Sequence, residues 1–199
     1  MRLALQESAD RLFAVKGYAA TTVRDIAEEA GVTERTFFRY FGGKEDLIID
    51  DALSWVHALA ELIRARPGSE DPITSIRRAV LDLVTKVETD PQGSPLWTFD
   101  EGPEGGRLAR STRRALHETE TILAEVIGDR LERFEHAGAQ LAIPRHYLAE
   151  LLARLTVAAL RSSLLEGERL RQVGGKVPAP RTLISQAFKT LQVPLTEGF

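Results

Sequence analysis

Two short apolar-striped stretches, each opened by a threonine, follow one another between Thr22 and Phe41, with Gly31 between them and Gly42-Gly43 behind. This spacing limits the possible folds more than any other feature of the chain. Thr22 followed three residues later by Asp25 is a capping-box-like start, while Ile26, Ala27 and Ala30 give an apolar face. Gly31 supplies the left-handed residue that closes the helix. Thr33 caps the second stretch, and Phe37 and Phe41 lie one turn apart, so both rings plug the space beneath the same helix. Two short helices joined by a Gly-Val turn form the frame of a helix-turn-helix, which holds its second helix proud of the surface.

Helical periodicity continues on either side, and no segment shows the sustained alternation of a half-buried strand. The expected fold class is therefore all-α: an N-terminal three-helix helix-turn-helix domain over 1–44, then a helical domain over 45–199, about nine helices in all. The first helix runs from near Leu3 to Lys16 and ends at Gly17; the fourth runs from Lys44 to the stop at Pro67-Gly68. Asp71-Pro72 is an N-cap followed by proline at the first helical position. Residues 91–106 mix proline and glycine with Leu96, Trp97 and Phe99, which suggests a loop covering something apolar. Two helices are expected over 107–115 and 117–136. A helix over 144–170, apolar around most of its circumference, precedes a Gly/Pro linker and a last striped helix.

The net charge of −3 argues against a general polyanion binder, and residues 1–44 sum to only +1. Within 35–44, however, Arg35, Arg39 and Lys44 stand without an acid among them. The chain has no cysteine, which fits a reducing compartment and removes thiolate chemistry. Charge follows Met1 too soon for a secretory leader, and no apolar run approaches the roughly 18 residues of a membrane span. A cytoplasmic protein without membrane contact is expected. His146 and Glu150 are one turn apart and His117 lies beside Glu118, but no third ligand shares an obvious spacing. No nucleophilic triad or phosphate-binding glycine loop is present. No catalytic residue, metal site or cofactor is assigned, and an enzyme is not expected.

From Ala9 to Leu47 the sequence resembles the TetR family of transcriptional regulators: Phe13-x-x-x-Gly17-Tyr18, Thr21-Thr22-Val23, Asp25-Ile26-Ala27, Ala30-Gly31-Val32, Phe37-x-x-Tyr40-Phe41 and Lys44-Glu45-x-Leu47. The resemblance implies a homodimer on double-stranded, pseudo-palindromic operator DNA, released by a small-molecule effector bound in the helical tail. Carried over to this sequence, Thr22 meets phosphate, as do Arg24 and Arg39 unless they pair with a neighbouring acid instead. Thr33, Arg35, Thr36 and Phe38 face the bases, and Tyr40 and Lys44 clamp the backbone. Arg35 is the choice for base reading, because a guanidinium can bond guanine O6 and N7 together. Phe38 stands where relatives usually have tyrosine and so offers only apolar contact.

In the tail, Trp55, Leu59, Val80, Leu83, Trp97 and Phe99 are candidates to line an effector pocket, although such residues at helical spacing also form ordinary core. Arg107, Arg110 and Arg114 share a face that is either solvated or turned to an anionic ligand group. Leu151, Leu155, Ala158, Leu183, Ala187, Phe188 and Leu191 are assigned to a two-fold four-helix interface, the alternative being interior helices of a monomer. The stretch Glu34–Phe41 is similar to a TetR subgroup thought to sense acyl-CoA-like molecules. A second function remains open: a helical DNA-architectural or protein-interaction module without a small-molecule effector.

Overall fold

The computed structural model describes residues 1–89 and 105–190, the side chains of Asp51, 87–89, 105–113 and Glu168 excepted. Trp97, Phe99 and Leu191, and the side chains of Arg107 and Arg110, therefore lie outside the described residues. Eight helices are present among the described residues: α1 (Arg2–Lys16), α2 (Val23–Glu29), α3 (Glu34–Phe38), α4 (Lys44–Arg64), α5 (Pro72–Thr89), α6 (Gly105–His136), α7 (Arg145–Gln172) and α8 (Pro180–Thr190). The all-α expectation holds. The two helices expected over 107–115 and 117–136 are one, α6, because Leu116-His117 contains no glycine or proline to stop it. The expected cap of α5 is made: Asp71 Oδ2 accepts from the Thr74 N–H at 2.8 Å. No helix among the described residues is long and apolar enough to cross a membrane.

The chain divides into two compact units. One gathers residues 1–54 and the described part of 95–115; the other holds the described residues of 55–94 and 116–199. In the first, Leu5 and Ala9 of α1, Ile26 and Ala27 of α2, Phe37 of α3, Phe41 and Leu47 form a closed apolar core. Arg2 fastens the N-terminus of α1 by donating from Nε to Asp50 Oδ2 at 2.7 Å, with its guanidinium 4.8 Å from the Phe41 ring centre.

The second unit is built on Leu59, Ala60 and Ile63 of α4, a stripe of α5 that includes Ile76, Val80 and Leu83, Leu123, Val126, Ile127 and Leu131 of α6, Leu148 and Leu152 of α7, and Ile184 and Phe188 of α8. At its edge, Arg130 of α6 is fully buried. Its guanidinium donates to the Pro67 carbonyl at 2.7 Å and to the Glu70 carbonyl, so the corner between α4 and α5 is held from α6. Arg133, one turn nearer the end of α6, donates to the Arg64 carbonyl at 3.0 Å and so answers an orphan acceptor at the end of α4. Burial, then repulsion from Arg133, pushes the Arg130 pKa below the usual arginine value. A buried guanidinium persists here because two backbone carbonyls, those of Pro67 and Glu70, accept hydrogen bonds from it.

Arg130→Met should destabilise the full chain by about 2 kcal/mol or more, since a hydrogen bond from a charged group contributes about 1.5–3 kcal/mol and two are lost. Urea unfolding measures this, and an unchanged midpoint would contradict the role given to Arg130.

Candidate nucleic-acid interface

Gly17 ends α1 with φ +78°, a conformation that side-chain-bearing residues rarely adopt. Thr21 is fully buried and its hydroxyl donates to the Gly17 carbonyl at 2.8 Å. Thr22 then opens α2 with a complete capping box: its Oγ1 accepts from the Asp25 N–H at 3.1 Å, and its own N–H donates to Asp25 Oδ2 at 2.8 Å. Those Thr22 bonds, followed by the Lys16 ammonium 3.0 Å away, hold the Asp25 carboxyl at a pKa of about 2. Asp25 thus occupies the Thr22 N–H, and of Thr22's donors its hydroxyl proton is left.

Gly31, at φ +68°, makes the turn, and the Val32 N–H returns to the Ala27 carbonyl at 2.8 Å. Ala27 is buried, and its small side chain lets the two helices approach. Thr33 caps α3 by accepting from the Thr36 N–H at 3.2 Å. Phe37 is fully buried, with its ring centre 5.6 Å from that of Phe41. Phe38 stands edge-on to Phe37 and leaves 53% of its surface exposed. The aromatic plug is therefore Phe37 and Phe41, and Phe38 points outward.

The expected DNA-contacting cations differ in their surroundings. Arg24 pairs with Glu28 at 2.8 Å on the solvated face of α2, and this acid, with Glu34 contributing, raises its pKa. Arg39 donates to the Tyr40 hydroxyl at 3.3 Å and lies 5.1 Å from that ring's centre, with no acid as partner among the described residues. Lys44 Nζ reaches back to the Tyr18 carbonyl at 3.0 Å and the Thr21 carbonyl at 3.1 Å. Arg11 and Lys16 are paired with Glu29 and Asp25. Arg35 is exposed on α3, where it makes no hydrogen bond or ion pair with any other described residue. Among the described lysine and arginine side chains of residues 1–44, it alone has no such partner.

The tail candidates are dispersed. Leu59, Val80 and Leu83 are buried in the unit's core, and Trp55 is half-buried against it. An open cleft of about 380 Å³ lies instead between α6 and α7, bordered by Gly128, Asp129, Glu132, Arg145, His146 and Glu150, and no expected pocket residue lines it. On α7, Leu151 and Leu155 are half-buried, Ala158 is exposed and Leu165 is 52% exposed, at spacings that put all four on one face. Leu183 and Ala187 of α8 are half-buried, whereas Phe188, 2% exposed, belongs to the core of its own chain. Arg2, Arg130 and Arg133 escaped sequence reasoning, because partners 48 to 69 residues away leave no periodic signal.

Residues 5–50 match the family described as bacterial regulatory proteins, tetR family. Across 134 residues the chain is 33% identical to the HTH-type transcriptional regulator TcmR of Streptomyces glaucescens, covering 66% of this chain and 52% of the relative. The chain spans about half the length of the curated relatives it matches. By structure it is similar to Thermus thermophilus FadR, a TetR-family repressor in complex with lauroyl-CoA, with TM-score 0.65, 18% identity and 100% of both chains covered. It is also similar to the regulator FadR of Bacillus subtilis in complex with stearoyl-CoA, with TM-score 0.63, 14% identity, and 96% of this chain and 97% of that one covered. At those identities the likeness is one of fold.

The folded pKa of Asp25 lies below its ordinary value near 3.8, so its contribution to stability is present above that value and is lost as pH falls through about 2. Carbon-13 NMR of the Asp25 carboxyl should show a titration near pH 2 in the folded protein. A midpoint near 3.8 would contradict the capping box.

Proposed function

We propose that this chain, a TetR-family protein through the DNA-binding domain at residues 5–50, is a transcriptional repressor that binds a pseudo-palindromic operator as a homodimer and is released by a small-molecule effector. The observation that carries the proposal is Arg35, displayed on α3 without a partner among the described residues. Its guanidinium is free to bond guanine O6 and N7, a contact worth about 1–3 kcal/mol. Thr33, Thr36 and Phe38 complete the base-facing surface, with Phe38 offering apolar contact to a thymine methyl. Thr22, through its hydroxyl, and Tyr40 meet phosphate; Arg24 and Arg39 do so by exchanging their partners within the chain. The reading domain is assigned to residues 1–44 and the effector-binding and dimerisation domain to 45–199, with α4 covalently continuous from one into the other.

The dimer is proposed to form through α7 and α8, using Leu151, Leu155, Ala158, Leu183 and Ala187. Its support is the apolar face these residues leave uncovered in the single chain. Two reading heads would then meet half-sites about 34–36 Å apart. Effector release requires only that the ligand bind one arrangement of the tail better than another. An acyl-CoA-like effector is supported by the Glu34–Phe41 stretch and by the lauroyl-CoA bound to the structurally similar Thermus thermophilus protein. The cytoplasm is the proposed place of action.

Anisotropy titrations with the intergenic DNA beside the gene should show salt-sensitive binding below micromolar dimer. Arg35→Ala should weaken it at least about tenfold, as one lost bidentate contact implies. Ala158→Glu should yield a folded monomer by sedimentation and lose operator binding with it. Absence of salt-sensitive binding by the wild type would sink the proposal, and an unchanged Ala158→Glu dimer would sink its interface.

A further inference from the structure

The surroundings of Lys44 are not those of a cation waiting for phosphate. An ammonium has three donors. Here Nζ donates to the carbonyls of Tyr18 and Thr21 at 3.0 and 3.1 Å, and it lies 4.2 Å from the centre of the Tyr18 ring. Two charge-assisted hydrogen bonds and a ring face answer it from within the protein. The Tyr18 ring is in turn 5.3 Å from that of Phe13 of α1, so the ammonium closes a stack joining the end of α1, the following loop and the start of α4.

Building on the DNA-binding reading above, we propose that Lys44 is a positioning residue of DNA recognition, fastening the loop between α1 and α2 from inside, and not a phosphate ligand. The loop otherwise depends on bonds of its own: the Thr21 hydroxyl to the Gly17 carbonyl at 2.8 Å and the Thr21 N–H to the Tyr18 carbonyl at 3.2 Å. It runs straight into Thr22, the cap of α2, and the Ala27 carbonyl of α2 accepts the Val32 N–H of the turn that precedes α3. A loop free to open lets α2 change its tilt, and α3 with Arg35 follows. Losing Lys44 therefore disperses the presentation of Arg35 while the number of phosphates neutralised stays the same.

Salt dependence separates the two roles. Each phosphate contact contributes about 0.9 to the slope of log K against log salt, so a phosphate-binding Lys44 would contribute about 1.8 per dimer. With Lys44→Met, operator affinity should fall about tenfold or more at a slope unchanged from the wild type. Tyr18→Leu, which keeps the charge and removes its ring, should also weaken binding. In the DNA-free full chain, amide hydrogen exchange at Thr21 and Thr22 should quicken at least tenfold in Lys44→Met, with α6 and α7 unaffected. A slope shallower by about 1.8, affinity left intact, or unchanged exchange at Thr21 and Thr22 would each overturn the proposal. If the wild type bound no DNA, the functional reading would fall, while the exchange measurement would still decide whether Lys44 holds the loop.

Discussion

A five-residue helix cannot stand in water, where isolated helices shorter than about 12–15 residues are marginal. α3 has that length, and it exists because Phe37 is fully buried beneath it and Phe41 follows one turn later. The Thr33 cap answers one orphan N–H, and Gly31 sets the direction of entry. Everything displayed on α3 depends on this anchoring. With Phe37 inside, Arg35 and Phe38 must lie outside, two and one positions away on a helix whose buried side is already taken.

Charge plays a smaller part than the function would suggest. Residues 1–44 sum to +1, and most of their cations already have partners: Arg2 with Asp50, Arg11 with Glu29, Lys16 with Asp25, Arg24 with Glu28 and Lys44 with two carbonyls. Exposed pairs such as Arg24–Glu28 contribute little stability and exchange readily for phosphate. The Lys44 bonds are partly buried and hold a loop. In the proposed repressor, low local charge makes non-specific attraction weak, so affinity comes from two heads presented together by a dimer.

The caps at Thr22 and Thr33, the turn at Gly31, the Phe37–Phe41 plug and the cap at Asp71 were legible because each rests on contacts a few residues apart. The exposed face of α7 was legible for the same reason, since periodicity shows which residues share a side. Periodicity does not show how far a protomer covers its own stripe, and so Phe188 appeared equivalent to Ala187 although it packs in its own core. The extra break expected near residue 116 came from counting apolar stripes where no breaker stood. Lys44 was recognised as a cation near the interface, but its carbonyl partners lie 23 and 26 residues earlier, in a loop whose shape depends on the left-handed Gly17. Arg130 was the least legible, because a charged residue on a helical pattern reads as solvated until the fold delivers Pro67 and Glu70 to it.

In the proposed complex Arg35 reads a base. In an operator selected from random DNA, replacing single guanines by 7-deazaguanine removes the N7 acceptor and leaves base pairing intact. Wild-type protein should lose affinity at one guanine in each half-site, symmetrically placed, and Arg35→Ala should be indifferent at those two positions. Equal sensitivity of the two proteins at every guanine, or no sensitive guanine at all, would contradict the assignment.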